Sequence, residues 1–214
     1  KKKDKILLIQ NKALELSLFF SLPASLALII GSEHIISALF GYGSFNEIAV
    51  HNSAKALYFF AIGLPAFSLI KIFSTFFFAN HDTKTPFYIS LLSVILNIII
   101  SIYYFKEIGF IIIPIATSIS SWFNGILLFI FLRKNNLFKF NNIFILRFIK
   151  IIIASSFMGI FFNYLLIYFQ NQLSFDQSIK SFYLILSVLL GLLFYLLISY
   201  WIKAFKTGDF KLKY

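Results

Sequence analysis

Two groups of polar side chains recur at helical spacing within apolar sequence. The first has one member every three or four residues: Ser90, Ser93, Asn97 and Ser101. The second clusters on one side of the following helix: Thr117, Ser120, Ser121 and Asn124. Residues three or four apart share a helix face, so side-chain and backbone oxygens meeting there could hold a sodium ion. The same groups could instead join two helices by hydrogen bonds of about 0.6 kcal/mol each. No carboxylate lies among them, which favours the second interpretation.

One lysine stands alone in an apolar segment. Lys71 has no neighbouring acid, and a charge inside a membrane helix is costly unless it faces a cavity or a partner. Its long side chain could reach the membrane surface and act as an anchor. Alternatively, it could line a cavity and meet an anionic headgroup of a substrate.

Helix-weakening residues suggest a hinge and a turn. Gly63 and Pro65 lie close together in mid-segment, and Pro23 and Pro114 also interrupt apolar runs. Proline removes a backbone hydrogen bond and kinks a helix, so Gly63, Pro65 and Pro114 are candidate hinge residues. A polar cap-and-proline pattern predicts the end of one helix and the start of the next, or a contact with substrate: Asp82, Thr83, Lys84, Thr85 and Pro86.

The sequence contains no residue pattern typical of a catalytic site. It has no cysteine, and His34, His51 and His81 lie far apart without metal-ligand spacing. No Ser–His–Asp set and no glycine-rich phosphate loop is present. We therefore expect a protein that is not an enzyme.

The composition excludes a soluble domain. Of 214 residues, 60% are apolar and 13% are charged, and the mean hydropathy is +0.89. In soluble domains about 45–50% of the residues are apolar and about 25% are charged. The net charge of +11 would suggest nucleic acid in a soluble protein. With lipid as the solvent, we expect no nucleic-acid partner.

Six apolar runs are long enough to cross a bilayer, whose core requires roughly 20 helical residues. They cover residues 13–40 (with a polar break at 32–34), 53–79, 86–105, 109–132, 143–169 and 178–202. We therefore predict an all-α, polytopic membrane bundle of six transmembrane helices. The tight connection at 106–109 predicts an antiparallel hairpin in which Asn97 and Thr117 both lie near mid-membrane.

Positive charges orient this bundle. Most of them lie on one side of the predicted spans: Lys1, Lys2, Lys3, Lys5, Lys12, Lys84, Arg133, Lys134, Lys139, Arg147, Lys150, Lys203, Lys206, Lys211 and Lys213. The other side has Lys55, Lys106 and Lys180. The positive-inside rule places both ends of the chain and the loop at 80–86 in the cytoplasm. An even number of spans independently requires both ends to lie on the same side. The connection at 133–150 could also bind anionic membrane lipids.

Several ordered motifs resemble those of the MurJ (MviN) lipid II flippases. They occupy residues 22–24, 40–45, 63–67, 71, 81–86, 97, 109 and 116–124. The resemblance covers about residues 13–135, whereas 136–214 match by hydropathy and position only. It implies a protein of fourteen transmembrane helices, of which this chain would hold the last six. Residues 1–135 would complete the C-terminal lobe with four helices, and 136–214 would add two extra helices that form a groove for a lipid tail.

The resemblance also implies roles for single residues. Asn97 and Thr117 match two ligands of a sodium site, Ile113 would supply a backbone carbonyl, and Ser101 stands where an acidic ligand is expected. Lys71 matches a lysine that would assist in substrate binding. The arginines that meet the pyrophosphate in the family are expected on upstream helices, so this part alone should not transport.

The function implied is export of an undecaprenyl-linked lipid, the peptidoglycan precursor lipid II, across the bacterial inner membrane by alternating access. One alternative is an exporter of another lipid-linked oligosaccharide or of drugs in the same superfamily. Another is a non-transporting scaffold that holds cell-wall synthesis proteins together. The 82–86 loop and the polar 117–124 helix favour the flippase.

Overall fold

The computed structural model describes residues 2–205, with side chains from residue 5 onward. Its elements between these limits are α1 (Lys2–Phe40), α2 (Glu47–Phe78), α3 (Lys84–Ile108), α4 (Ile112–Lys134), α5 (Asn142–Tyr168) and α6 (Lys180–Trp201). A 3₁₀ turn, Gly109–Ile111, joins α3 to α4. This part of the chain contains no strand, so the predicted all-α class is confirmed. Lys1, Lys206, Lys211 and Lys213 lie outside the described residues, as does the end of the predicted 136–214 segment.

Within residues 2–205, five helical stretches are long and apolar enough to cross a membrane. They are Lys5–Phe40, Glu47–Phe78, Lys84–Lys134, Asn142–Tyr168 and Lys180–Trp201. The third has 51 residues and includes both α3 and α4, which pack against each other. The polar residues at 32–34 do not interrupt α1, which continues to Phe40. The chain is therefore an all-helical, multi-pass membrane protein.

Packing divides the chain into two compact units. Unit 1 comprises Lys1–Ser21 and Phe59–Phe144, which include the second part of α2 and all of α3 and α4. Unit 2 comprises Leu22–Tyr58 and Ile145–Tyr214, which include most of α5 and all of α6. Every site residue predicted from the sequence belongs to unit 1.

An aromatic cluster forms part of the core of unit 1. Its members are Phe73, Phe76, Phe129, Phe138, Phe140 and Phe144, and adjacent ring centroids lie between 4.8 and 6.4 Å apart. Phe138 is 0% exposed although it belongs to the connection between α4 and α5. Aromatic pairs add about 0.5–1.5 kcal/mol beyond the area they bury. The cluster thus fastens this connection to α2 and α4.

Unit 2 is packed around Phe162 of α5. Its ring is buried between two glycines, Gly31 of α1 and Gly191 of α6. A Cβ at Gly31 would lie 2.9 Å from ring atom Cε1 of Phe162, closer than packed carbon atoms approach. Glycine at this position therefore lets α1 and α5 pack closely, as small residues do between membrane helices.

Candidate functional site

Helix α4 is hydrogen-bonded to α3 through side chains. The Asn97 amide nitrogen donates to Thr117 Oγ1 at 3.2 Å and to Ser120 Oγ at 3.3 Å. Seven residues after Thr117 on α4, the amide nitrogen of Asn124 donates to Ser90 Oγ at 3.4 Å. These contacts follow the predicted polar faces of the two helices and join them.

The residues implied as sodium ligands meet only in part. Thr117 Oγ1, which accepts from Asn97, donates to the Ile113 carbonyl at 2.8 Å. Asn97 therefore presents its nitrogen, and the carbonyl already has a donor. Ser101 Oγ is buried and has no hydrogen-bond partner among the described residues. No group of three acidic or histidine side chains able to hold a metal ion occurs in residues 2–205. As arranged, these residues form a hydrogen-bonded contact between the two helices. A sodium site at this position stays a prediction.

The opposite side of α4 binds the backbone of α2 close to Gly63 and Pro65. Ser118 Oγ donates to the Phe59 carbonyl, and Trp122 Nε1 donates to the Ile62 carbonyl at 3.0 Å. A Cβ at Gly63 would lie 2.7 Å from Ser118 Oγ and 3.2 Å from its Cα. Glycine at position 63 thus permits the close approach on which both hydrogen bonds depend. The polar motif of α4 therefore forms hydrogen bonds to both α2 and α3.

The two hinge prolines occupy different kinds of position. Pro65 lies inside α2, where its missing N–H removes an intrahelical hydrogen bond, and its carbonyl accepts from Ser68 Oγ at 2.9 Å. Pro114 is the third residue of α4. A first-turn N–H has no intrahelical acceptor, so Pro114 begins a helix and does not interrupt the fourth span as the sequence suggested. A hinge role for either residue stays a prediction.

Lys71 is exposed on α2, eight residues after Gly63. Its backbone carbonyl accepts from Thr75 Oγ1 at 2.9 Å. Among the described residues, no carboxylate forms an ion pair with its ammonium group. The ammonium is thus available to an external anion.

The segment from His81 to Pro86 closes α2 and starts α3, as predicted. The amides of His81 and Asp82 donate back to the carbonyls of Phe78 and Phe77, and His81 adopts the left-handed conformation, with φ of 60°. This pattern is a Schellman helix end. Asp82 Oδ1 then accepts from the Thr85 amide at 3.0 Å and caps α3. This hydrogen bond, with that of the Thr85 side chain, holds the pKa of Asp82 below its ordinary value.

Sequence reasoning missed Asn11 of α1, which is 2% exposed. Its amide nitrogen donates to the Lys139 carbonyl at 2.9 Å, and its Oδ1 accepts from the Asn141 amide at 3.2 Å. Asn141 Oδ1 in turn accepts from the Phe144 amide at 2.7 Å and caps α5. The adjacent amides Gln10 and Asn11, just before the first predicted span, were the only signal, because the partner atoms belong to the backbone of a distant loop.

Lys180 was also missed, because the charge pattern places it among solvated charges. In unit 2 it is 1% exposed. Its Nζ donates to the carbonyls of Gly41 and Phe175, each at 2.7 Å, and lies 4.4 Å from the centroid of the Tyr42 ring. Ser181 adds a hydrogen bond to the Tyr42 hydroxyl at 2.7 Å. The loop after α1 is thereby fixed to the start of α6.

The chain is similar to known proteins in sequence and in fold. The family described as Lipid II flippase MurJ matches residues 1–184. A probable lipid II flippase MurJ from Rhizobium tropici is 30% identical over 202 residues, which are 94% of this chain and 38% of that protein. One from Rickettsia prowazekii (strain Madrid E) is 40% identical over 128 residues, 60% of this chain and 25% of that protein.

A solved structure of lipid II flippase MurJ in an inward closed conformation has a similar fold. Its TM-score is 0.76 at 28% sequence identity, and the match covers 94% of this chain and 40% of that one. The chain thus spans between 25% and 40% of the length of these proteins. Because the family match covers most of its residues, the chain belongs to the MurJ lipid II flippase family.

Proposed function

We propose that this chain is the C-terminal part of a lipid II flippase of the bacterial inner membrane. The full-length protein would move the undecaprenyl-pyrophosphoryl-linked disaccharide-peptide outward by alternating access between two states of its lobes. The observation that carries the proposal is the family match over residues 1–184, supported by the structural likeness over 94% of the chain. The activity belongs to the whole protein, of which this chain is one part.

The proposed topology has six membrane crossings, the last six of about fourteen, with both ends in the cytoplasm. The 51-residue stretch Lys84–Lys134 would cross twice, because α3 and α4 pack together after a three-residue turn. The distribution of lysine and arginine supports the orientation. Helices in residues 1–135 would complete the C-terminal lobe, and α5 and α6 would form the additional pair beside the lipid tail.

Lys71 would meet an anionic group of the substrate, and α2 would bend between Gly63 and Pro65. Support for the first role comes from the exposed, unpaired ammonium of Lys71 on the described chain. Support for the second is the proline inside α2, next to carbonyls that α4 binds through Ser118 and Trp122. Side chains that donate to helix carbonyls keep those carbonyls hydrogen-bonded when the helix bends. The 82–86 turn would keep α2 and α3 in register as the lobe moves.

The Asn97 contact would join α3 to α4 and would not carry a sodium ion. The amide nitrogen of Asn97 faces Thr117 Oγ1, and the polar faces at 90–101 and 117–124 include no carboxylate to offset an ion's charge.

Complementation tests the proposed function. The full-length gene is expressed in a bacterium depleted of its own flippase, and membrane insertion is verified by immunoblot. We expect growth to be restored, and we expect the lipid-linked precursor to become accessible to a precursor-cleaving enzyme added outside the cells. Restored growth without this accessibility would favour a scaffold, and failure of both with the protein in the membrane would refute the proposal.

A further inference from the structure

Unit 2 contains a cleft of about 620 Å³ whose lining includes none of the residues given a role in the proposed function. The C-terminal part of α1, the first turns of α2 and the connection between α5 and α6 line it. A volume of this size is in the range of small-molecule sites, roughly 300–1,000 Å³. It is far larger than a single metal ion needs.

The charge of the cleft is opposite to that of the chain. Glu33 and Glu47 contribute carboxylates, and neither lysine nor arginine belongs to the lining. His51 Nδ1 lies 3.5 Å from Glu33 Oε1 at the rim. Lys180 Nζ lies 4.6 Å from the centroid of the Phe175 ring, but two backbone carbonyls bind it. The carboxylates of Glu33 and Glu47 are therefore the charges that line the cleft, and they favour a cation.

Two polar atoms at the cleft have no partner among the described residues. Ser37 lines the cleft and is 6% exposed, and its Oγ makes no hydrogen bond. The Nδ1 atom of the neighbouring His34 is also buried and unpaired. Buried polar groups in native proteins nearly always have a partner, so these two atoms are free to bind one in the cleft. Ser37 can accept a hydrogen bond from a ligand or donate one.

The rest of the lining is partly apolar. Leu173 and Phe175 from the α5–α6 connection contribute to one wall. In the described residues, no three acidic or histidine side chains come together as metal ligands. The cleft therefore fits an organic cation with an apolar stem better than a metal ion.

We propose that this cleft binds a primary ammonium group carried on a short alkyl chain. The carboxylates of Glu33 and Glu47 and the Ser37 hydroxyl accept from the ammonium, while the alkyl chain packs against Leu173 and Phe175. This site belongs to unit 2 alone and does not depend on the proposed transport. A primary ammonium of this kind occurs on a lysine side chain of a peptide and on the phosphatidylethanolamine headgroup.

Binding is tested with the full-length protein in phosphatidylcholine nanodiscs. The probe is Nα-acetyl-lysine amide, and the matched compound is Nα-acetyl-norleucine amide, which keeps the alkyl chain and lacks the amine. We expect saturable binding of the lysine compound, measured by calorimetry, and at least about tenfold weaker binding of the norleucine compound. The double variant Glu33→Gln, Glu47→Gln should bind the lysine compound more weakly by a similar factor. Glu107→Gln, outside the cleft, should leave binding unchanged.

The outcomes separate the sources of the amine and can overturn the proposal. If phosphatidylethanolamine in the nanodisc competes with the soluble probe, the headgroup is the ligand. If it does not, the cleft takes a peptide amine. Equal binding of the two soluble compounds, or equal loss in the Glu107→Gln variant and the double variant, would refute the proposal. Circular dichroism of each variant identifies any loss of binding that results from unfolding.

Discussion

The ammonium nitrogen of Lys180 lies 2.7 Å from the carbonyl oxygen of Gly41, a residue 139 positions earlier in the chain. The same nitrogen binds the Phe175 carbonyl, so one buried cation joins three backbone segments of unit 2. A Cβ at Gly41 would lie 2.6 Å from the Ser37 carbonyl and 3.1 Å from the Phe175 ring. The contact thus depends on glycine at one end and on a long cationic side chain at the other.

Replacing Lys180 with methionine should destabilise unit 2 by about 2–3 kcal/mol. The variant keeps the length of the side chain but leaves two carbonyls without their charged donor. Denaturant unfolding in detergent, followed by circular dichroism, measures the change. Lys55→Met, which removes an exposed lysine of the same unit, is the control and should shift stability by at most about 0.5 kcal/mol. Equal effects of the two substitutions would show that the buried contact contributes nothing.

Gly63→Ala should destabilise the contact between α2 and α4 by about 1–3 kcal/mol. The new methyl group would lie 2.7 Å from Ser118 Oγ, and relieving this overlap separates the helices. Gly125→Ala on α4 is the matched control, because its nearest neighbour, Ile70 Cγ1, is at 3.8 Å. Alanine there should stabilise the helix by about 0.5–1 kcal/mol. Thermal unfolding of both variants checks the opposite signs, and a shift in the same direction would contradict the packing described.

The Asp82 cap should make stability depend on pH in acid. Its folded-state pKa is lowered by the Thr85 hydrogen bonds. A lowered carboxyl pKa stabilises the fold above the unfolded-state value, near 3.8, and this contribution disappears as pH falls through the folded-state value. Asp82→Ala should cost about 0.5–2 kcal/mol at neutral pH. Asp82→Asn should retain a cap whose strength does not vary with pH. Unfolding curves between pH 2 and 7 test both, and parallel profiles for wild type and Asp82→Asn would refute the assignment.

Lys71 should matter for transport and not for stability. Lys71→Ala removes the ammonium proposed to meet the substrate and should impair complementation, whereas Lys71→Arg keeps the charge and should retain most of it. Because the side chain is exposed, both variants should unfold within about 0.5 kcal/mol of the wild type. Precursor accessibility in depleted cells is the readout. Full activity of the alanine variant would leave Lys71 as an anchor at the membrane surface.

Asn97→Ala should weaken the pairing of α3 and α4 by about 1 kcal/mol, since two hydrogen bonds between membrane helices are lost. Transport by the reconstituted full-length protein should be equal in sodium and potassium buffers, before and after the substitution. A sodium requirement that disappears in the Asn97→Ala variant would instead establish an ion site at this position.

Much of the helical layout could be predicted from the sequence, because each apolar run is long enough to cross the bilayer. In lipid, such a run must form a helix to satisfy its backbone hydrogen bonds. The pairing of Asn97 with Thr117 followed from helical spacing on both sides of a tight turn. The roles of Ser118 and Trp122 did not follow, since both bind backbone carbonyls of α2, which have no sequence signature. The place of Pro114 in the first turn of α4 did not follow either, because apolar sequence continues across the point where that helix begins.

The hydrogen bonds of Asn11 also have a consequence for the order of assembly. Its partner Asn141 follows 130 residues later. At a synthesis rate of about 5–20 residues per second, that partner emerges from the ribosome roughly 6–26 seconds after Asn11. Until then the amide nitrogen can donate to the Leu7 carbonyl of the same helix, but Oδ1 has no partner, and burying a polar atom without one is costly. The start of α1 is therefore favoured to wait at the water-facing surface, and it can settle into its final position only after the fifth helix has begun to be made.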